Sequence, residues 1–141
     1  MIDRKADARW EGNLREGRGT IRLGSGAFEG PYSFGTRFES APGTNPEELL
    51  GAALAGCFTM ALSMMLTTAG HPPASLETTA TVHLDKVGEG FATTGIDLVT
   101  RGKVPGQTQA EFERLAEDAK TNCIISKALA VPMKLQATLL G

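Results

Sequence analysis

Cysteine and histidine are scarce in this chain, with two of each among 141 residues. Cys57 and Cys123 lie far apart in sequence, as do His71 and His83, and there is no Cys-x-x-Cys pair. That excludes a zinc-type ligand cluster. Positive charge is not in excess either. Fourteen Lys and Arg stand against 16 Asp and Glu, and the sequence pI is near 5.7, which gives no ground for binding nucleic acid or an anionic membrane. The start, Met1-Ile2-Asp3-Arg4-Lys5-Ala6-Asp7, lacks an apolar run and does not read as a signal peptide. The expected compartment is therefore the cytoplasm, where thiols stay reduced and a structural disulfide is not expected. No internal repeat or low-complexity segment is present, and the length fits one domain over residues 1–141.

Charge is absent altogether from Leu49 to Gly70. The signals around that run predict a helix. Thr44 or Asn45 can cap it, Pro46 suits its first turn, and Glu47 or Glu48 can complete a capping box. Gly70 fits the left-handed position after the last turn, and Pro72-Pro73 block continuation. The predicted helix has about 24 residues, roughly 36 Å of rise. It is apolar on every face, so burial nearly all round is expected. The run is long enough to span a bilayer. However, no Lys, Arg, Trp or Tyr anchors either end, and Ala, Gly, Ser and Thr dilute it. A central helix enclosed by sheets, or by a second copy of the chain, is the better reading. Gly51, Ala52, Ala55 and Gly56, small at four-residue spacing, would let another backbone approach closely.

Ala8 to Glu11 and Gly19 to Leu23 read as short strands, and Tyr32 to Glu39 as an alternating strand with Arg37 opposite the aromatic face. Leu76 to Val87 alternates again, with His83 on its exposed face, and Phe91 to Val104 holds another strand beyond the turn Gly88-Glu89-Gly90. Gln107 to Lys120 carries the apolar stripe Phe112, Leu115, Ala116 and Ala119 of a second helix. Thr121 or Asn122 can cap a short helix that runs through Ser126 to Ala130, with Cys123 in its first turn, and Met133 to Leu140 is a closing strand. The fold class is α+β with antiparallel sheets.

Taken singly, each cysteine reads as a core residue. Together, four features point to thiol chemistry: Cys57 on a buried helix, an acid at the start of that helix, an arginine just before it, and a second thiol, Cys123, at another helix. A redox thiol needs a cation that favours its thiolate and a second thiol that resolves the oxidised form. An ordinary thiol, with pKa about 8.5, is only about 3% ionised at pH 7. A cation about 4 Å away at an effective dielectric of about 20 supplies roughly 4 kcal/mol toward ionisation.

Gly43-Thr44-Asn45-Pro46-Glu47-Glu48-Leu49, then Gly51-Ala52-Ala53, Ala55 and Cys57-Phe58, resembles the OsmC/Ohr family of osmotically inducible and organic hydroperoxide resistance proteins, and most closely its OsmC branch. Trp10-Glu11-Gly12, Thr36-Arg37-Phe38, Thr78-Thr79-Ala80, Leu84-Asp85-Lys86-Val87 and the segment from Cys123 to Ser126 extend the resemblance over nearly the whole chain.

The resemblance implies an OsmC-like fold in which long central helices pack between sheets of an intertwined homodimer, with active sites at the subunit interface. It also implies a thiol peroxidase; the apolar surroundings of Cys57 would favour organic hydroperoxides over hydrogen peroxide. Cys57 matches the peroxidatic cysteine, which becomes a sulfenic acid, and Cys123 the cysteine that resolves it. Arg37 matches the arginine that activates the thiolate, and Glu47 the acid that orients it, leaving Glu48 to the cap. Where the family places proline after the second cysteine, this chain has Ile124. No metal or organic cofactor is implied; the reductant that the resemblance suggests is an external dithiol of lipoyl type. The alternative is a non-catalytic dimeric stress or binding protein.

Overall fold

Short alternating runs and the turns between them shape the amino-terminal third. In the computed structural model, which describes residues 1–141, the chain divides into two compact units, Met1–Leu49 and Leu50–Gly141. In the first, β1 (Ala6–Glu11), β2 (Arg18–Leu23) and β3 (Glu29–Tyr32) form an antiparallel sheet in sequence order. Trp10, Gly19 and Tyr32 share one row of that sheet, and the two rings meet edge to face at 5.4 Å. A Cβ on Gly19 would lie 2.4 Å from the tyrosine ring, so only glycine fits beneath the pair.

The third strand ends at Tyr32 instead of running to Glu39. The expected strand gives way to a short helix, α1 (Phe34–Phe38), which places Arg37 on a helix. Ser33 and Thr36 start it with reciprocal caps: Thr36 N–H donates to Ser33 Oγ, and Ser33 N–H donates to Thr36 Oγ1 at 2.8 Å. Phe34 and Phe38 share a face in either periodicity, but four residues apart on a helix their ring centroids come to 5.0 Å.

The long helix α2 (Pro46–Thr68) runs from the first unit into the second. Asn45 caps it, accepting the Glu48 N–H on Oδ1 at 2.7 Å. At the far end Gly70 takes φ +90, and His71 N–H closes back onto Leu66 O at 2.9 Å, a Schellman-type stop.

In the second unit β4 (Ser75–Val87) and β5 (Gly90–Lys103) form a hairpin around Gly88-Glu89. The third strand, β6 (Met133–Leu139), lies parallel to β5, so the second sheet is mixed and not antiparallel as expected. The cause is the connection. α3 (Gln109–Asn122) and α4 (Ile124–Ala128) stand between β5 and β6, and a crossover of that length returns the chain in its original direction. His83 is half exposed and pairs with Asp97 at 2.9 Å on the neighbouring strand. On the outer face of α3, a hydrogen bond from Arg114 holds the Glu111 carboxyl below the usual carboxylate range.

Leu54, Phe58, Leu62 and Leu66 on one face of α2 are fully buried, in a core shared with Phe112, Ala116 and Ala119 of α3 and with Ile96 and Leu98 of β5. Hydroxyls link helix to sheet: Thr59 reaches Thr78 at 2.8 Å, and Thr78 reaches the buried Thr100 at 2.9 Å. The rest of α2 departs from the expectation of burial all round. Met60 is 77% exposed and Met64 62%, because the elements of one chain cover only one side of the helix. Gly51 faces β4, where an added Cβ would meet Val82, whereas Gly56 faces open space. By length and composition α2 could cross a membrane, but its four fully buried large side chains are those of a core helix.

Chemical denaturation should rank these contributions. Leu62→Ala should destabilise by about 2–5 kcal/mol, as a cavity in a closed core does. Ser33→Ala should cost about 1 kcal/mol, the loss of one cap.

Candidate active site

Two pairs of side chains carry the candidate chemistry, one in each unit. The first is Arg37 with Glu47. α1 ends beside the start of α2, and Asn45, while capping α2, also donates from Nδ2 to Thr36 O at 3.2 Å, tying the two helices together. Arg37 then forks onto Glu47: Nε donates to Oε1 at 2.8 Å and Nη2 to Oε2 at 3.1 Å. This two-point geometry is the strong form of an arginine–carboxylate contact and fixes the plane of the guanidinium. Glu47 is largely enclosed at 13% side-chain exposure, while Arg37 keeps 41%, so the cation is held from one side and open on the other. Glu48 points elsewhere and accepts the Thr44 hydroxyl at 2.8 Å. Of the two acids, Glu47 meets the arginine and Glu48 meets the residues at the helix start.

Beside Arg37 lies an apolar groove of about 300 Å³, lined by Trp10, Leu14, Tyr32, Phe34 and Phe38. The Arg37 guanidinium sits 5.4 Å from the Phe38 ring centroid, and Arg15 covers Phe34 at 4.7 Å.

The second pair is Cys57 with Cys123. Both thiols are free. Cys57, in the middle of α2, is half-buried; Cys123 is 3% exposed. The first turn of α4 connects them. Ile125 N–H donates to Cys57 Sγ at 3.4 Å, and the next amide, Ser126 N–H, donates to Cys123 Sγ, also at 3.4 Å. Two sulfurs distant in sequence therefore rest on successive amides of one turn. Cys123 is itself the N-cap of α4, the place expected for Thr121 or Asn122. Those two residues instead bond back to α3, Thr121 Oγ1 to Glu117 O and Asn122 Nδ2 to Asp118 O, which leaves the cap to the sulfur.

Two contributors escaped the sequence reading. One is the Asn45 bridge to α1, for which the sequence offers only the cap signal. The other is Ser126, whose hydroxyl lies 3.1 Å from Cys123 Sγ. Its position three residues after the cysteine, the N3 place of a capping box, was the available clue. No group of three or more His, Cys, Asp or Glu side chains is placed to hold a metal ion.

The chain is similar to known proteins along most of its length. The sequence profile for OsmC-like protein matches residues 38–137. The chain is 48% identical over 135 residues to peroxiredoxin OsmC of Escherichia coli (strain K12), covering 95% of this chain and 94% of that one, and matches peroxiredoxin OsmC of Shigella flexneri to the same extent. Among solved structures, an OsmC-like protein of unknown function from Vibrio cholerae gives a TM-score of 0.76 at 18% identity, covering 97% of this chain and 99% of that chain. The organic hydroperoxide resistance protein OhrB of Bacillus subtilis gives 0.72 at 24% identity, covering 96% and 97%. At these identities the two structures speak to the fold, an α+β arrangement of two small sheets and a long helix. The profile match and the close relatives speak to descent, and by them this chain belongs to the OsmC-like protein family.

Proposed function

We propose that this protein is a cysteine-dependent peroxidase that reduces organic hydroperoxides. A peroxide-reducing enzyme is the activity that its similarity to the peroxiredoxins OsmC supports. The observation that carries the mechanism is the pair of sulfurs on successive amides of α4. In the proposed cycle the Cys57 thiolate attacks one peroxide oxygen, the O–O bond breaks, and the alkoxide leaves as an alcohol after taking a proton. Cys57 is left as a sulfenic acid. Cys123 attacks that sulfur, the S–S bond forms, and water leaves. An external dithiol of lipoyl type then reduces the disulfide. No metal or organic cofactor takes part.

Arg37 is the proposed activator of Cys57, held in place by Glu47. About ten residues of α2, roughly 15 Å of rise, separate Glu47 from Cys57. An arginine clamped to Glu47 is poorly placed for a sulfur that far along the same helix. The uncovered face of α2, with Gly56, Met60 and Met64, suits the α2 of a second copy. We therefore read the protein as a cytoplasmic homodimer in which the Arg37–Glu47 pair of one copy serves Cys57 of the other. The apolar groove beside Arg37 suits the tail of an alkyl or aryl hydroperoxide better than hydrogen peroxide.

Several measurements test this reading. Peroxide treatment should give one Cys57–Cys123 disulfide within a chain, seen by non-reducing mass spectrometry; exclusive intersubunit bonds would refute the pairing. Arg37→Met keeps the stem and removes the cation. Both Cys57 alkylation and peroxide reduction near neutral pH should fall about tenfold or more, the equivalent of about 1.4 kcal/mol. Glu47→Gln should lower turnover, and Glu48→Gln should leave it nearly unchanged. Arg37→Met protein, weakened about tenfold or more, and Cys57→Ser protein, inactive alone, should reach about a quarter of wild-type turnover when refolded together, because half the dimers are mixed and each of those has one intact site. No recovery would place the arginine and the cysteine of each site in the same chain.

A further inference from the structure

Ser126 has no role in the cycle above, yet every polar contact made by Cys123 Sγ belongs to it. The hydroxyl lies at 3.1 Å and the backbone N–H at 3.4 Å. Ser126 is itself only 8% exposed, and its hydroxyl has one other partner, Met133 Sδ at 3.7 Å, a weak acceptor. A serine that merely stabilised a short helix would spend its hydroxyl on the backbone. This one touches two sulfurs and no backbone oxygen.

The resolving step explains why that matters. The attacking species is the Cys123 thiolate, and at 3% exposure its sulfur has protein donors and not water beside it. In the resting protein the Cys123 S–H donates to Ser126 Oγ. Once the thiol proton leaves, the same hydroxyl can turn from the weak thioether and donate to the sulfur. With the Ser126 amide already aimed there, the thiolate gains two donors from one residue. We propose, on the peroxidase reading above, that Ser126 is a catalytic residue of disulfide formation, stabilising the Cys123 thiolate as it attacks the Cys57 sulfenic acid. In that step the Cys123 S–H and the Cys57 S–O bonds break, the S–S bond forms, and the thiol proton departs with the hydroxide as water. The bond to Cys57 Sγ comes from Ile125 N–H, so Ser126 acts on resolution and not on the first attack.

The test compares reduced wild-type protein with Ser126→Ala, each given one equivalent of cumene hydroperoxide, with dimedone trapping and mass spectrometry over time. Sulfenic acid at Cys57 should form at the wild-type rate in the variant. Conversion to the disulfide should slow about tenfold to a hundredfold, the size of a lost hydrogen bond to a charged group. The dimedone adduct should accumulate, and excess peroxide should drive Cys57 on to sulfinic acid. Disulfide formation at the wild-type rate would overturn the proposal, and so would an equal slowing of sulfenic acid formation, which would mark Ser126 as a structural residue. If the wild-type protein itself forms neither sulfenic acid nor disulfide, the peroxidase reading fails and takes this inference with it.

Discussion

A 23-residue helix without a charge beyond its first turn needs cover on every side, and one short chain supplies it on one side only. This constraint governs the rest of the molecule. The inward face of α2 holds the core with four large side chains and fixes the place of Cys57 between them. The outward face remains apolar and exposed, at a cost of roughly 25 cal/mol for each Å² of apolar surface left in water. In the proposed homodimer a second copy of the chain would offset that cost, and the proposed active site follows from the same geometry. The helix that carries Glu47 in its first turn also carries Cys57, about ten residues further on.

The candidate chemistry is built from a few fixed points. Arg37 is clamped at two atoms by a largely enclosed carboxylate, which holds its direction without neutralising its open side. The two thiols are held by backbone, through amides whose positions follow from the first turn of α4. Each arrangement depends on a helix terminus: the start of α2 for the carboxylate and the start of α4 for the sulfurs.

Those termini also decided what the sequence could disclose. The limits of α2 were legible because proline, paired acids and a glycine followed by prolines each act within one turn. The contact of Glu47, and not Glu48, with Arg37 was legible from the family resemblance. The span from Tyr32 to Glu39 was not, because Tyr32, Phe34 and Phe38 satisfy strand alternation while Phe34 and Phe38 also satisfy helical spacing. Only the Ser33–Thr36 cap breaks the tie. The direction of β6 was hidden for a different reason. A strand carries the same residue pattern whether it pairs parallel or antiparallel, and the choice belongs to the crossover before it. The cap at Cys123 was missed because thiols rank low among capping groups, and the better caps beside it were already engaged by α3.

The uncovered methionines of α2 have one more consequence. Thioethers are themselves targets for peroxides, and oxidation converts a flexible apolar side chain into a polar, chiral sulfoxide. Met60 and Met64 stand on the very face proposed to meet a second copy. Assembly would therefore screen these sulfurs from the substrate, and a subunit left alone in oxidant would lose the apolar surface it needs to find a partner. In that sense the proposed pairing would be a form of self-protection, and damage to a lone subunit would be slow to reverse without a sulfoxide reductase.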